Sequence, residues 1–97
     1  MILERRTYIP KLGKVNELVD MIKEGHGILD YSPKFRVLTP QVGPFGVVVH
    51  EIEYQDWEER EKFNTDLLKS GKWQPFLERW NQIVKQGGGN EFWTVRA

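Results

Sequence analysis

The chain has 97 residues, 39% of them hydrophobic and 29% charged, and its 14 basic and 14 acidic residues cancel to a formal charge of zero. That length holds one domain, and the balanced charge removes the usual electrostatic argument for a nucleic acid or an anionic membrane. Without a cysteine, disulfides, thiolate metal sites and thiol nucleophiles are excluded as well.

The opening segment ILERRTYI, residues 2–9, reads as a strand, because β-branched and aromatic residues are frequent and the turn signals Pro10 and Gly13 follow directly. Its early charges leave no apolar core for a signal peptide. Val15, Leu18, Val19 and Ile22 then recur at i, i+3, i+4 and i+7, which predicts a helix weakening at Gly25 or Gly27. Residues 34–42 read as a second strand, pushed to an edge or a bulge by Pro40. Gly43-Pro-Phe-Gly46 is a turn, and residues 46–54, GVVVHEIEY, form the clearest strand.

Asp56 with Glu59 three residues later marks a helix start, and Glu58 and Lys62 are spaced to pair one turn apart before Gly71 ends the helix. A further helix is expected from about Gln74, with Pro75 in its first turn and Trp73, Phe76 and Trp80 at core spacing. Residues 87–90 read as a flexible turn; no Lys-Ser/Thr follows the three glycines, so they make no phosphate loop. The segment EFWTVR closes the chain as a last strand. No apolar run approaches the roughly 20 residues that span a bilayer, and a cytoplasmic location is expected.

The order β-α-β-β-α(α)-β implies a ferredoxin-like α+β domain over residues 1–97, a four-stranded antiparallel sheet with helices on one face. The first and third strands are expected as central neighbours running parallel. A water-facing second sheet face should be polar, yet Val47, Val48 and Val49 are apolar on both faces, and Ile2–Leu3 and Phe92–Trp93 are adjacent apolar pairs. The most economical cover is the same face of a second chain, a sheet-to-sheet homodimer.

Glu4-Arg5-Arg6-Thr7-Tyr8 followed by Gly13-Lys14, the segment GPFGVVVHEIEYQDWEER from Gly43 to Arg60, and Lys72-Trp73-Gln74-Pro75 together resemble the NIPSNAP family. The resemblance covers nearly the whole chain and is best over residues 43–80. Gln41 stands where an acidic residue is usual in that family, and Arg5 where an apolar one is. The resemblance implies a dimeric α/β barrel, a superfamily that also holds cofactor-free and haem-dependent monooxygenases and dehydratases.

Alternation places Glu4, Arg6 and Tyr8 on one face of the first strand, and His50, Ile52 and Tyr54 on one face of the third. If these faces meet in one inter-sheet cavity, or in one between sheet and helices, the cavity holds a base, a cation, a carboxylate and phenols. His50 is then the candidate catalytic base, since imidazole titrates near neutral pH. Glu4, Arg6, Tyr8, Tyr54 and Trp93 are the candidate substrate-binding residues for a small anionic or carbonyl compound. As an enzyme, the chain would be a cofactor-free oxygenase, isomerase or dehydratase. The competing reading is a scaffolding dimer whose buried Glu/Arg/His network fixes register. No metal or cofactor is assigned; His50 as an axial haem ligand lacks any supporting second residue, and His26, between two glycines, reads as a solvated helix end.

Overall fold

Period-two alternation sorts each strand's side chains onto two faces, and in the computed structural model, which describes residues Met1–Ala97, that sorting organises the domain. The elements are β1 (Ile2–Pro10), α1 (Val15–His26), β2 (Lys34–Leu38), β3 (Val48–Tyr54), α2 (Trp57–Lys69), α3 (Trp73–Ile83) and β4 (Val84–Thr94). The strands form one antiparallel sheet in the order β2-β3-β1-β4, the ferredoxin-like α+β arrangement. β1 and β3 are the central neighbours, but they run antiparallel, with Arg6 opposite His50. The reason is connectivity. The α1 crossover returns β2 parallel to β1, and the chain then reverses before β3, so β3 runs against both.

The helices cover one face. Leu18, Met21 and Ile22 of α1 pack with Phe76 and Ile83 of α3 and with Val48 of β3 into the main apolar cluster. The helix α1 runs through Gly25 and ends at His26 with Gly27 as its cap, and the Phe76 ring lies against Gly25, where a Cβ would sit 3.1 Å from it. At the start of α2, the Asp56 side chain accepts from the Glu59 amide at 2.9 Å, and the Glu59 carboxylate accepts from the Gln55 amide at 2.9 Å. Lys62 pairs with Asp66, 3.0 Å away, rather than with Glu58.

The largest departure from expectation is β4. It starts at Val84, directly after α3, and takes in Gly87, Gly88 and Gly89, which are strand and not turn. A Cβ on Gly88 would overlap the Thr7 carbonyl oxygen, and the residue's φ is +92°. Those glycines answer a close backbone approach at the point where the β1–β4 register shifts, between Thr7 and Ile9. No helix is long and apolar enough to cross a membrane.

Candidate functional site

The strand register puts Arg6 and Tyr8 of β1 beside His50 and Tyr54 of β3 on the face that meets the helices. A cavity of about 430 Å³ opens between this sheet face and the helix layer, so the shared space is not between two sheets. Its floor is Arg6, Tyr8, His50 and Tyr54; its walls include Phe63 and Leu67 of α2 and Trp73, Phe76 and Trp80 of α3. An apolar enclosure with a few convergent polar groups is the ordinary make-up of a small-molecule site.

Beneath the floor lies Glu4, fully buried. Its carboxylate accepts from Arg6 (Nε, 2.9 Å) and Arg60 (Nε, 3.1 Å), from the Asn90 amide at 3.1 Å and from the Tyr54 hydroxyl at 3.4 Å. Burial alone would raise its pKa, but the two guanidinium groups win and hold it down at about 2. Burial works against the Arg6 charge too, and the Glu4 carboxylate more than offsets it, raising that pKa. One carboxylate between two arginines leaves this cluster with a net positive charge, and Arg6 is the member that faces the cavity.

Beside it runs a hydrogen-bonded row. The Tyr8 hydroxyl lies 3.1 Å from His50 Nδ1, His50 Nε2 lies 2.7 Å from His26 Nε2, and His26 Nδ1 lies 2.7 Å from the Ser32 hydroxyl. The His26 ring also stacks on Phe35, with centroids 3.8 Å apart. Burial, helped by the charge of Arg6, lowers His26 to about 4; burial, with His26 and Arg6 nearby, lowers His50 to about 3. Both imidazoles are therefore neutral at pH 7. His26 is a buried partner of His50 and not the solvated helix end its two glycines suggested.

Arg6, Tyr8, His50 and Tyr54 are thus brought together. Glu4 is placed behind them and does not line the cavity, because all its acceptor capacity is spent on Arg6, Arg60, Asn90 and Tyr54. Trp93 is placed on the opposite sheet face, paired with Leu3 and half exposed, because the register sets Phe92 beside Glu4 on the helix side. Arg60 escaped the sequence reading because it sits in an acidic helix run, although it lies three residues before Phe63 and seven before Leu67, on the buried stripe. No group of three His, Asp or Glu side chains is gathered as a metal site. Both ring nitrogens of His50 are engaged within the chain, Nδ1 by Tyr8 and Nε2 by His26.

Solved structures share this architecture along its full length. A NIPSNAP domain protein from Burkholderia xenovorans is 27% identical, with the match covering 100% of this chain and 96% of that one at a TM-score of 0.83. A NIPSNAP family protein from Agrobacterium tumefaciens is 22% identical, covering 98% and 92%, with a TM-score of 0.78. An antibiotic biosynthesis monooxygenase is 12% identical over 100% of both chains, with a TM-score of 0.65, a likeness of fold. No match was found among curated proteins. The NIPSNAP family model matches residues 3–88, from β1 into the glycine-bearing part of β4 and across every residue of the cavity floor, and the chain belongs to the NIPSNAP family.

Proposed function

We propose that the protein binds, and chemically transforms, a small apolar molecule carrying a carbonyl or an acidic oxygen in the cavity between sheet and helices. The observation that carries this reading is the cavity itself. Its wall is mainly hydrophobic and aromatic, and its polar side has one cation and two phenols beside two neutral imidazoles, His26 and His50. Arg6 anchors the oxygen, Tyr8 and Tyr54 orient it by hydrogen bonding, and His50 acts on the proton through Tyr8. The fold is one on which an antibiotic biosynthesis monooxygenase is also built, which agrees with cofactor-free oxygenase, isomerase or dehydratase chemistry.

The working unit in this reading is a homodimer joined through the outer sheet face. That face exposes Leu38 and Trp93 and carries a row of alternating charge, one residue per strand: Arg36, Glu51, Arg5 and Glu91. A two-fold axis parallel to the strands inverts this row, so a second copy laid face to face sets each arginine over a glutamate. The scaffolding alternative draws on the complete hydrogen bonding of the buried side-chain polar atoms.

A thermal-shift screen of small carbonyl compounds, phenols and carboxylates tests the binding reading on wild type beside Arg6→Ala and His50→Ala. Stabilisation of wild type that both variants lose is the expected result. Equal responses in all three proteins, or none in any, favour scaffolding.

A further inference from the structure

Only one assignment of protons makes all four hydrogen bonds of the row beside the cavity at once. The Ser32 hydroxyl donates to the Pro33 carbonyl at 2.8 Å, so its oxygen must accept from His26 Nδ1–H. That fixes the neutral His26 ring with a bare Nε2, which must accept from His50 Nε2–H across 2.7 Å. His50 is left with a bare Nδ1, which accepts from the Tyr8 hydroxyl at 3.1 Å. Every donor points the same way, from the cavity wall at Tyr8 to Ser32, and Ser32 is exposed to solvent.

We infer that this row is a proton wire joining the cavity to bulk water, and that its cargo is the proton of an apolar enol or phenol held against Arg6. The inference rests on the cavity reading above and specifies its ligand. In the step, the ligand O–H bond breaks and its proton joins the Tyr8 oxygen while the Tyr8 proton passes to His50 Nδ1. The His50 Nε2 proton moves to His26 Nε2, the His26 Nδ1 proton moves to the Ser32 oxygen, and the Ser32 hydroxyl swings off the Pro33 carbonyl to release its proton to water. One proton enters and one leaves, and the electron pair stays on the ligand oxygen. Tyr8 and both imidazoles end neutral, and the charge remains on the ligand, where the net positive Glu4, Arg6 and Arg60 cluster stabilises it. Two buried imidazoles that resist holding a proton suit this role, because no charge is trapped midway.

Nitrogen-15 NMR of the ligand-free protein tests the proton assignment directly. The expected spectrum at pH 7 shows His50 protonated at Nε2 and His26 at Nδ1, both neutral. The opposite tautomer at either ring, or an imidazolium, overturns the wire while leaving the cavity reading intact. Stopped-flow mixing in mildly acidic buffer, where free para-nitrophenol is protonated and only its anion absorbs visible light, tests transport. Wild type should bind it as the anion, and Ser32→Ala and His26→Gln should each slow appearance of the anion by about ten-fold or more. Ser32→Ala should hold its affinity within about two-fold, since Ser32 is not part of the cavity wall. Glutamine at position 26 keeps a donor and an acceptor but cannot pass a proton, so it separates conduction from support. Binding as the neutral phenol, or unchanged rates in both variants, overturns the proposal alone. No binding by wild type overturns it together with the cavity reading.

Discussion

The two faces of the sheet carry the same motif with different consequences: a buried glutamate between two arginines. On the helix side Glu4 is held by Arg6 and Arg60, and on the open side Glu51 is held by Arg5 at 2.7 Å and Arg36 at 2.5 Å. Glu4 sits under protein, beside two imidazoles, and its arginines are mostly covered, whereas the Arg36 side chain is 68% exposed. Burial multiplies the strength of a charge pair and equally the cost of breaking it. The inner cluster should therefore dominate the stability of the protomer, and the outer row should matter chiefly to what lies against it.

Acid breaks the two faces in sequence, and this is the largest expected effect. The folded pKa values of His26 and His50, about 4 and about 3, lie below their ordinary value of 6.5. Their stabilising contribution is thus complete above pH 6.5 and drains as the pH falls, because only the unfolded chain takes up the two protons. The loss runs at about 1.4 kcal/mol per pH unit for each histidine, on the order of 5 kcal/mol by pH 4. Glu4 and Glu51, both depressed from 4.5, add their own loss only below that value. Urea denaturation in half-unit pH steps should show the slope of two protons below pH 6.5, reduced to one in His26→Gln. A flat profile between pH 6.5 and 5 would show that the imidazoles are not sequestered.

Next in size is the direct contrast between the glutamates. Glu4→Ala leaves Arg6 and Arg60 without a counter-charge in a covered site and should cost about 3 kcal/mol. Glu51→Ala leaves arginines that can turn to water and should cost about 1 kcal/mol in an isolated protomer. Denaturation at low protein concentration measures both, and equal costs would remove the distinction drawn between the faces. Gly88→Ala strikes both faces together, because Asn90 holds Glu4 on one and Glu91 extends the charge row on the other. With φ at +92° and the Thr7 carbonyl where the Cβ must go, a loss of about 2 kcal/mol or more is expected in the same assay.

Much of this is legible in alternation alone. The period of two by itself groups Arg6 with Tyr8 and His50 with Tyr54, and the apolar helix stripes locate the cover. What escapes a reading of the sequence depends on contacts distant along the chain. The segment around His26 looks solvated until Phe76, fifty residues on, comes over Gly25 and α1 continues to His26, whose ring then packs between Phe35 and Phe63. The triple glycine looks like a turn because the Thr7 carbonyl that demands Gly88 is eighty residues away. The run of β1 against β3 is derivable, since it follows from the reversal between β2 and β3, but no local residue signals it. Alternation also leaves open which of Phe92 and Trp93 turns inward. The tilted contact of Phe92 with Trp57, centroids 4.9 Å apart, and Arg60 over the Phe92 ring settle it.

The smallest effect on the protomer is expected at Arg36, and it yields the sharpest information about the outer face. Exposed ion pairs contribute about 0–1 kcal/mol, so Arg36→Glu should barely change unfolding of a dilute, isolated chain. A two-fold axis along the strands, however, would set Arg36 over Glu91 of the partner subunit and Glu51 over Arg5 of the partner subunit. Arg36→Glu then opposes like charges twice in each dimer, where close pairs across an interface can cost several kcal/mol. Size-exclusion chromatography with light scattering should find wild type dimeric and Arg36→Glu shifted toward monomer. Adding Glu91→Arg to the same chain restores opposite charges across the interface and should restore the dimer. Recovery in the double variant would fix the direction of the axis as well as the face, because an axis running across the strands places like charge over like and gains nothing from the exchange. A monomeric wild type would instead leave the row as a surface ladder within one sheet, with Trp93 and Leu38 needing a different cover.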